Sequence, residues 1–246
     1  MRNFLSGIFV LTNCFFVYTQ TLDLDLSLSS SNTLDIVKQN NGLIWVATDE
    51  GLNVFYDDEK YVFYSNIQDS LSLLNSKVDR LIVTSSDNLV ALSQDGLSVF
   101  NSEAFDFKQI KLNSRPVSIV EDSFNSDLWV ATENSGYYVI SSDFKIKSHY
   151  TFDPLSPLSI STSKFSDSDE KLIIFEIDKI YIGTNNGLNI FDKKLNTFKR
   201  FFKGKKSLFT TNKLVGIEKY QDKILIATEN ELVLFDYKNN KFEHNV

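Results

Sequence analysis

Apolar residues in this chain fall into short, nearly unbroken runs, each closed by polar turn residues. Leu43-Ile44-Trp45-Val46-Ala47 leads through Thr48-Asp49-Glu50-Gly51 into Leu52-Asn53-Val54-Phe55. The unit returns as Leu128-Trp129-Val130-Ala131-Thr132 with Gly136, and again from Lys179-Ile180-Tyr181-Ile182-Gly183-Thr184 to Phe191. Two more divergent copies run from Leu89 to Phe100 and from Ile224 to Leu232. A strand covered on one face alternates apolar and polar residues, whereas one covered on both faces need not. These runs therefore predict strands buried on both sides. No apolar 3.6-residue period is sustained over a helix length, which excludes a helical solenoid.

Aligned on Trp45, Val90, Trp129, Tyr181 and Leu225, the copies are spaced by 45, 39, 52 and 44 residues. A period near 45 residues with four short strands per unit is the mark of propeller blades. The pattern predicts an all-β propeller of four-stranded antiparallel blades, spanning 21–246, with blades near 33–64, 77–111, 115–151, 160–202 and 212–244. In the first, strands are expected at Thr33 to Lys38, Leu43 to Thr48, Leu52 to Tyr56 and Lys60 to Tyr64. Trp45, Trp129 and Tyr181 are expected in the blade core. The small residues Ala47, Ala131, Gly183 and Ala227 let a neighbouring sheet approach; Leu92 breaks that rule, so the second blade should pack differently. Glycines 51, 96, 136 and 187 suit a turn that needs positive φ. The fifth copy has Glu231 there, and Asn230 is expected to take the left-handed conformation instead.

Polar loops join the units, the longest at Ser65 to Ser76 and Phe152 to Thr162, and Phe165 to Lys171 reads as a surface bulge. Leu22 to Ser29 alternates strictly and reads as a half-exposed strand. Such a strand often completes the last blade of a closed ring, but Lys241 to His244 already offers that blade an outer strand. Five blades forming part of a seven-bladed ring, and a closed five-bladed ring, both fit.

Composition adds direction. The chain carries a net charge of -7, which argues against a nucleic-acid partner. Met1-Arg2-Asn3 followed by the apolar Phe4 to Val17 reads as a signal peptide over 1–20, giving a periplasmic or secreted protein; an uncleaved anchor is the alternative. Cys14, the only cysteine, lies in this segment, so no disulfide framework is expected. Asn13 before it and the apolar run after it argue against lipidation.

The run Leu43-Ile44-Trp45-Val46-Ala47-Thr48, then Gly51-Leu52-Asn53-Val54-Phe55, resembles the two-component regulator propeller repeat. Asp69-Ser70-Leu71-Ser72, echoed by Asp153-Pro154-Leu155-Ser156, fits the same pattern. The resemblance covers about residues 22 to 246 and implies the periplasmic sensor part of a hybrid two-component histidine kinase, binding oligosaccharide or polysaccharide fragments. It further implies an immunoglobulin-like domain, a membrane span and a kinase, none of which is legible in this sequence.

Catalytic chemistry is not legible either. His149 and His244 lack metal-ligand spacing, and no nucleophile elbow, phosphate loop or dinucleotide fingerprint occurs. Asp167-Ser168-Asp169-Glu170 lacks the glycine and distal glutamate of a calcium loop. No cofactor is expected, and no enzyme activity. The candidate site is the rim formed by the turns between second and third strands: Asp49, Glu50, Gln94, Asp95, Glu133, Asn134, Asn185, Asn186, Glu229 and Asn230. Carboxylates and amides supply the acceptors and donors that sugar hydroxyls need. The plainer explanation is that these residues make turns. Tyr137 and Tyr138, beside a turn, are candidates for stacking on a ligand. The expected partners are a glycan or other small ligand, and a downstream signalling protein or further blades. An envelope protein-interaction propeller and a propeller lyase or glycosidase are the competing readings.

Overall fold

The computed structural model describes residues 27–57, 59–165, 172–204 and 209–244. The expected signal peptide, Leu22 to Leu26, Asp58 and most of the expected bulge after Phe165 lie outside the described residues. All regular structure described is β, in five four-stranded antiparallel sheets. Blade 1 holds β1 (Thr33–Lys38), β2 (Ile44–Thr48), β3 (Gly51–Tyr56) and β4 (Glu59–Phe63). Blade 2 holds β5 (Arg80–Val83), β6 (Leu89–Ser93), β7 (Gly96–Asn101) and β8 (Asp106–Lys111). Blade 3 holds β9 (Pro116–Glu121), β10 (Leu128–Thr132), β11 (Gly136–Ile140) and β12 (Ile146–Tyr150). Blade 4 holds β13 (Ile173–Phe175), β14 (Lys179–Thr184), β15 (Gly187–Asp192) and β16 (Thr197–Phe201). Blade 5 holds β17 (Leu214–Tyr220), β18 (Lys223–Thr228), β19 (Leu232–Asp236) and β20 (Lys241–His244). Within each blade the strands pair in chain order, as expected of propeller blades.

Blades 2, 3 and 4 each have two buried faces because each packs between two neighbours. One, here the leading face, carries Trp45, Ala47, Leu52 and Val54 in blade 1. It packs on the opposite, trailing face of blade 2, made by Leu81, Leu89, Ala91, Phe100 and Phe107. The same relation joins blades 2 and 3, blades 3 and 4, and blades 4 and 5. Trp45, Trp129 and Tyr181 sit at the same point of three of these walls, all buried, as expected. The wall between blades 2 and 3 does differ. Val90 replaces the aromatic residue, Leu92 restores volume, and the contact becomes almost wholly aliphatic against Ile119, Leu128, Val130 and Ile140. None of these four walls joins blade 5 to blade 1; among the described residues the blades form an open arc.

In blades 1 to 4 the incoming linker is tied to the blade's third strand. Asn53 accepts from the Ser29 backbone N–H at 3.0 Å and donates to the Ser29 hydroxyl at 2.9 Å. Asn189 repeats both bonds with Ser161, at 2.8 and 2.9 Å. In blade 2 the Leu74 N–H donates to the Ser98 hydroxyl at 2.9 Å, and in blade 3 the Asn113 N–H reaches the Tyr138 hydroxyl at 3.4 Å. Ser29 thus occupies the place of a linker residue. The strand expected to run on to Ser29 is not formed over Ser27 to Ser29. Period-two alternation is a property of any extended segment, and here its end docks through side-chain bonds rather than a strand ladder.

Candidate functional site at the turn rim

Each rim turn is built around a buried hydroxyl at the end of the second strand. Thr48 Oγ1 donates to the Gly51 carbonyl at 2.8 Å and accepts from the Glu50 N–H at 3.2 Å. Thr184 does the same with Gly187 and Asn186, and Thr132 with Gly136 and Ser135. Ser93 and Thr228 make weaker versions, both donating at 3.4 Å. A hydroxyl that satisfies two turn groups at once fixes the direction in which the intervening side chains leave the sheet. Gly51, Gly96, Gly136 and Gly187 all have positive φ. The fifth turn differs from the expectation. Neither Asn230 nor Glu231 has positive φ; the turn closes instead through the Thr228 N–H donating to the Glu231 carbonyl at 2.9 Å.

The turns lie at the end of each blade where its linker arrives. That proximity gives half the candidates an intramolecular partner. Asp49 accepts from Asn32 at 3.0 Å, and Asp95 from Asn75 at 2.9 Å. Asn186 donates to the Ser161 carbonyl at 2.9 Å and accepts from Asn212 at 3.2 Å. Glu229 pairs with Lys213 at 2.6 Å, a hydrogen bond that raises the lysine's pKa above its ordinary value. Glu133 lies 4.0 Å from Arg115, which also reaches Asp79 at 3.7 Å. These five side chains brace turn against linker. The side chains of Glu50, Gln94, Asn134, Asn185 and Asn230 are exposed and make no side-chain hydrogen bond among the described residues. The rim therefore separates into a bracing set and an outward set, with at least one outward residue in each blade.

Tyr137 and Tyr138 require a correction. They stand on β11, in register with Leu52 and Asn53, and are 3% and 4% exposed. Tyr137 meets Trp129 and Phe165 edge to face in the wall between blades 3 and 4. Tyr138 stacks on His149, with ring centroids 3.9 Å apart, in the wall facing blade 2. Neither ring is available to a ligand, because strand alternation sends one into each blade wall. The bracing partners Asn32, Asn75, Ser161 and Lys213 were not singled out in the sequence. A signal existed: each lies 16 to 25 residues before the turn it meets, a separation that repeats with the blades.

A second feature lies on the outer edge of blade 4. A groove of about 680 Å³ is lined by Lys179, Asp192, Lys199, Arg200, Phe202 and Lys238, among others. Lys199 and Arg200 lie over the Phe201 and Phe202 rings, and Lys238 is paired with Asp222 at 2.7 Å. None of the rim candidates lines it. Charged residues on an exposed edge strand deter strand addition, which accounts for Lys199 and Arg200 on β16. Among the described residues no group of three or more His, Cys, Asp or Glu could hold a metal ion.

Fold and rim together define an array of β-propeller blades with one polar turn face. No protein-family model matches the sequence, and no curated protein matches it. Solved structures do. The chain is similar to the extracellular domain assigned to the hybrid two component system BT3049 of B. thetaiotaomicron. That match has a TM-score of 0.60 and 22% identity, and covers 88% of this chain and 30% of that one. It is also similar to the extracellular domain assigned to the one component system BT4673 of the same organism. There the TM-score is 0.51 and the identity 12%, over 87% of this chain and 36% of the other. The chain thus spans about a third of the length of either structure, and what the two likenesses establish is the fold.

Proposed function

We propose that the chain is the ligand-sensing part of a two-component regulator of the propeller-repeat family, acting outside the cytoplasm after export by its N-terminal segment. Its ligand is an oligosaccharide or polysaccharide fragment, bound on the turn rim. The observation that carries this reading is the outward set Glu50, Gln94, Asn134, Asn185 and Asn230. One carboxylate and four amides, each held by a hydroxyl-braced turn, offer donors and acceptors without a dominant charge. That chemistry suits vicinal hydroxyls. The fold shared with extracellular domains of signalling systems supports the sensing role and the location. On this reading the chain binds and does not turn over its ligand, and the signal passes to a separate kinase or to further domains.

The test is a screen of plant, algal and host oligosaccharides by thermal shift, followed by calorimetry on any hit. A specific glycan is expected to bind. Glu50→Ala with Asn185→Ala should weaken it by about tenfold or more, since each lost hydrogen bond contributes on the order of 1 kcal/mol. Absence of binding across the panel, or turnover of a bound polymer, would overturn the reading.

A further inference from the structure

The groove on the outer edge of blade 4 carries a charge that the fold does not require. Protection of an edge strand accounts for Lys199 and Arg200. It does not account for Lys179 on β14, an inner strand, or for Lys238 in the turn after β19 of blade 5, which line the same groove. Cross-strand register sets Lys179, Asp192 and Thr197 in one row and Tyr181, Ile190 and Lys199 in the next, on the face turned to blade 5. Lys238 is paired with Asp222. No carboxylate lies within ion-pair distance of Lys179 or Lys199 among the described residues. Asp192, the one carboxylate of the lining, accepts from the Lys194 and Leu195 N–H groups at 3.0 and 2.9 Å and is committed to its own turn. The groove is thus positive in a chain whose net charge is -7.

The propeller repeat does not explain this. At the place of Lys179, blades 1, 2 and 3 have Leu43, Asn88 and Asp127; at the place of Lys199 they have Tyr61, Lys108 and Ser148. Blade 5 has Lys223 and Glu243, which pair with each other. Only blade 4 has a cation at both places. The recess between blades 3 and 4 is balanced by contrast, with Asp127 on Lys147 and Asp122 on Lys193, each at 2.7 Å.

Beside the cations the groove offers apolar surface, with Leu158 56% and Phe202 41% exposed. Its volume, about 680 Å³, is that of a ligand cleft. Ammonium groups only donate, whereas a sugar face needs acceptors as well, which the rim turns supply and this lining does not. A ligand matched to the groove brings carboxylates and apolar side chains together, as an acidic peptide does. We propose that the outer groove between blades 4 and 5 docks an extended acidic segment of a partner protein, its carboxylates meeting Lys179, Lys199 and Lys238 and its apolar side chains lying on Leu158 and Phe202. The cations that deter a neutral or basic strand select an acidic one. The inference is independent of the glycan reading.

Fluorescence anisotropy on the full chain tests it, with pools of short labelled peptides in which Asp or Glu alternates with Leu, Phe or Tyr. An acidic pool should bind, and pools with Lys in place of the acids should not. Binding should weaken between about 50 and 500 mM NaCl, because exposed charges are screened. Lys179→Glu with Lys199→Glu should weaken it by about tenfold or more. Lys199→Glu with Lys238→Glu, both at exposed positions, should do the same with the thermal midpoint unchanged. Glu50→Ala with Asn185→Ala should leave peptide binding as it was, which separates the groove from the rim. Failure of every acidic pool to bind would overturn the proposal, as would binding that neither double variant weakens. Displacement of the peptide by a sulfated or uronate oligosaccharide at lower concentration than by unlabelled peptide would assign the groove to a glycan and overturn it equally.

Discussion

At the scale of single residues, the rim turns are decided by two positions. One is glycine, whose role was plain in the sequence because few other residues tolerate positive φ. At Gly187 (φ +98°) a Cβ would lie 2.2 Å from the Phe201 carbonyl oxygen, so strain and collision act together. Gly187→Ala is expected to destabilise the chain by at least about 2 kcal/mol, read as a lower urea midpoint. The other is the threonine at the strand end. Its side chain could not be assigned a task from the sequence, where Thr48, Thr132 and Thr184 read as strand residues. Only the fold shows their hydroxyls turned back into the turn. The same limit misplaced Tyr137 and Tyr138. Adjacency to a turn said nothing about which face each ring takes, and registering them against Leu52 and Asn53 would have put them in the walls.

Among the elements, the strands were legible because both-faced burial leaves unbroken apolar runs, and a fourfold pattern repeated five times fixes the blades. The linkers were not. Their attachment depends on one polar residue on the third strand of blades 1 to 4: Asn53, Ser98, Tyr138 or Asn189. Three residue types doing one task leave no common letter to read. Blade 5 has Val233 at this position, which has no side-chain group to make the bond. Asn189 is fully buried, and replacing it with leucine would preserve volume but strand the Ser161 N–H, while the Ser161 hydroxyl keeps its bond to Thr184 at 3.1 Å. A buried donor without a partner costs about 1–3 kcal/mol. Asn189→Leu should therefore lose stability in that range. Ser161→Ala in the same background should cost less than it does alone, as a double-mutant cycle of denaturation midpoints would record.

Across the whole molecule, stability is a chain of nearest-neighbour walls, each blade depending on the next. Four walls are apolar, and polar latches span the edge opposite the rim. One is the pair of Asp122 in blade 3 and Lys193 in blade 4, 2.7 Å apart, with Asp122 fully buried. Asp122 is also committed to the Phe124 N–H at 3.0 Å, so its carboxylate cannot move to water when its partner is removed. Lys193→Met should accordingly cost about 3 kcal/mol, because it leaves a buried charge uncompensated. That loss falls on one joint in the middle of the arc, and its position determines what is observed. Among the described residues blades 1 and 5 each have one neighbour, so their amides are expected to exchange fastest, and those of β10 and β14 slowest. Weakening the central joint should erase that gradient, raising exchange in β10 and β14 together while leaving β2 little changed. If Lys193→Met instead accelerated exchange equally in all five blades, the arc would be unfolding as one cooperative unit, and stability could not be assigned wall by wall.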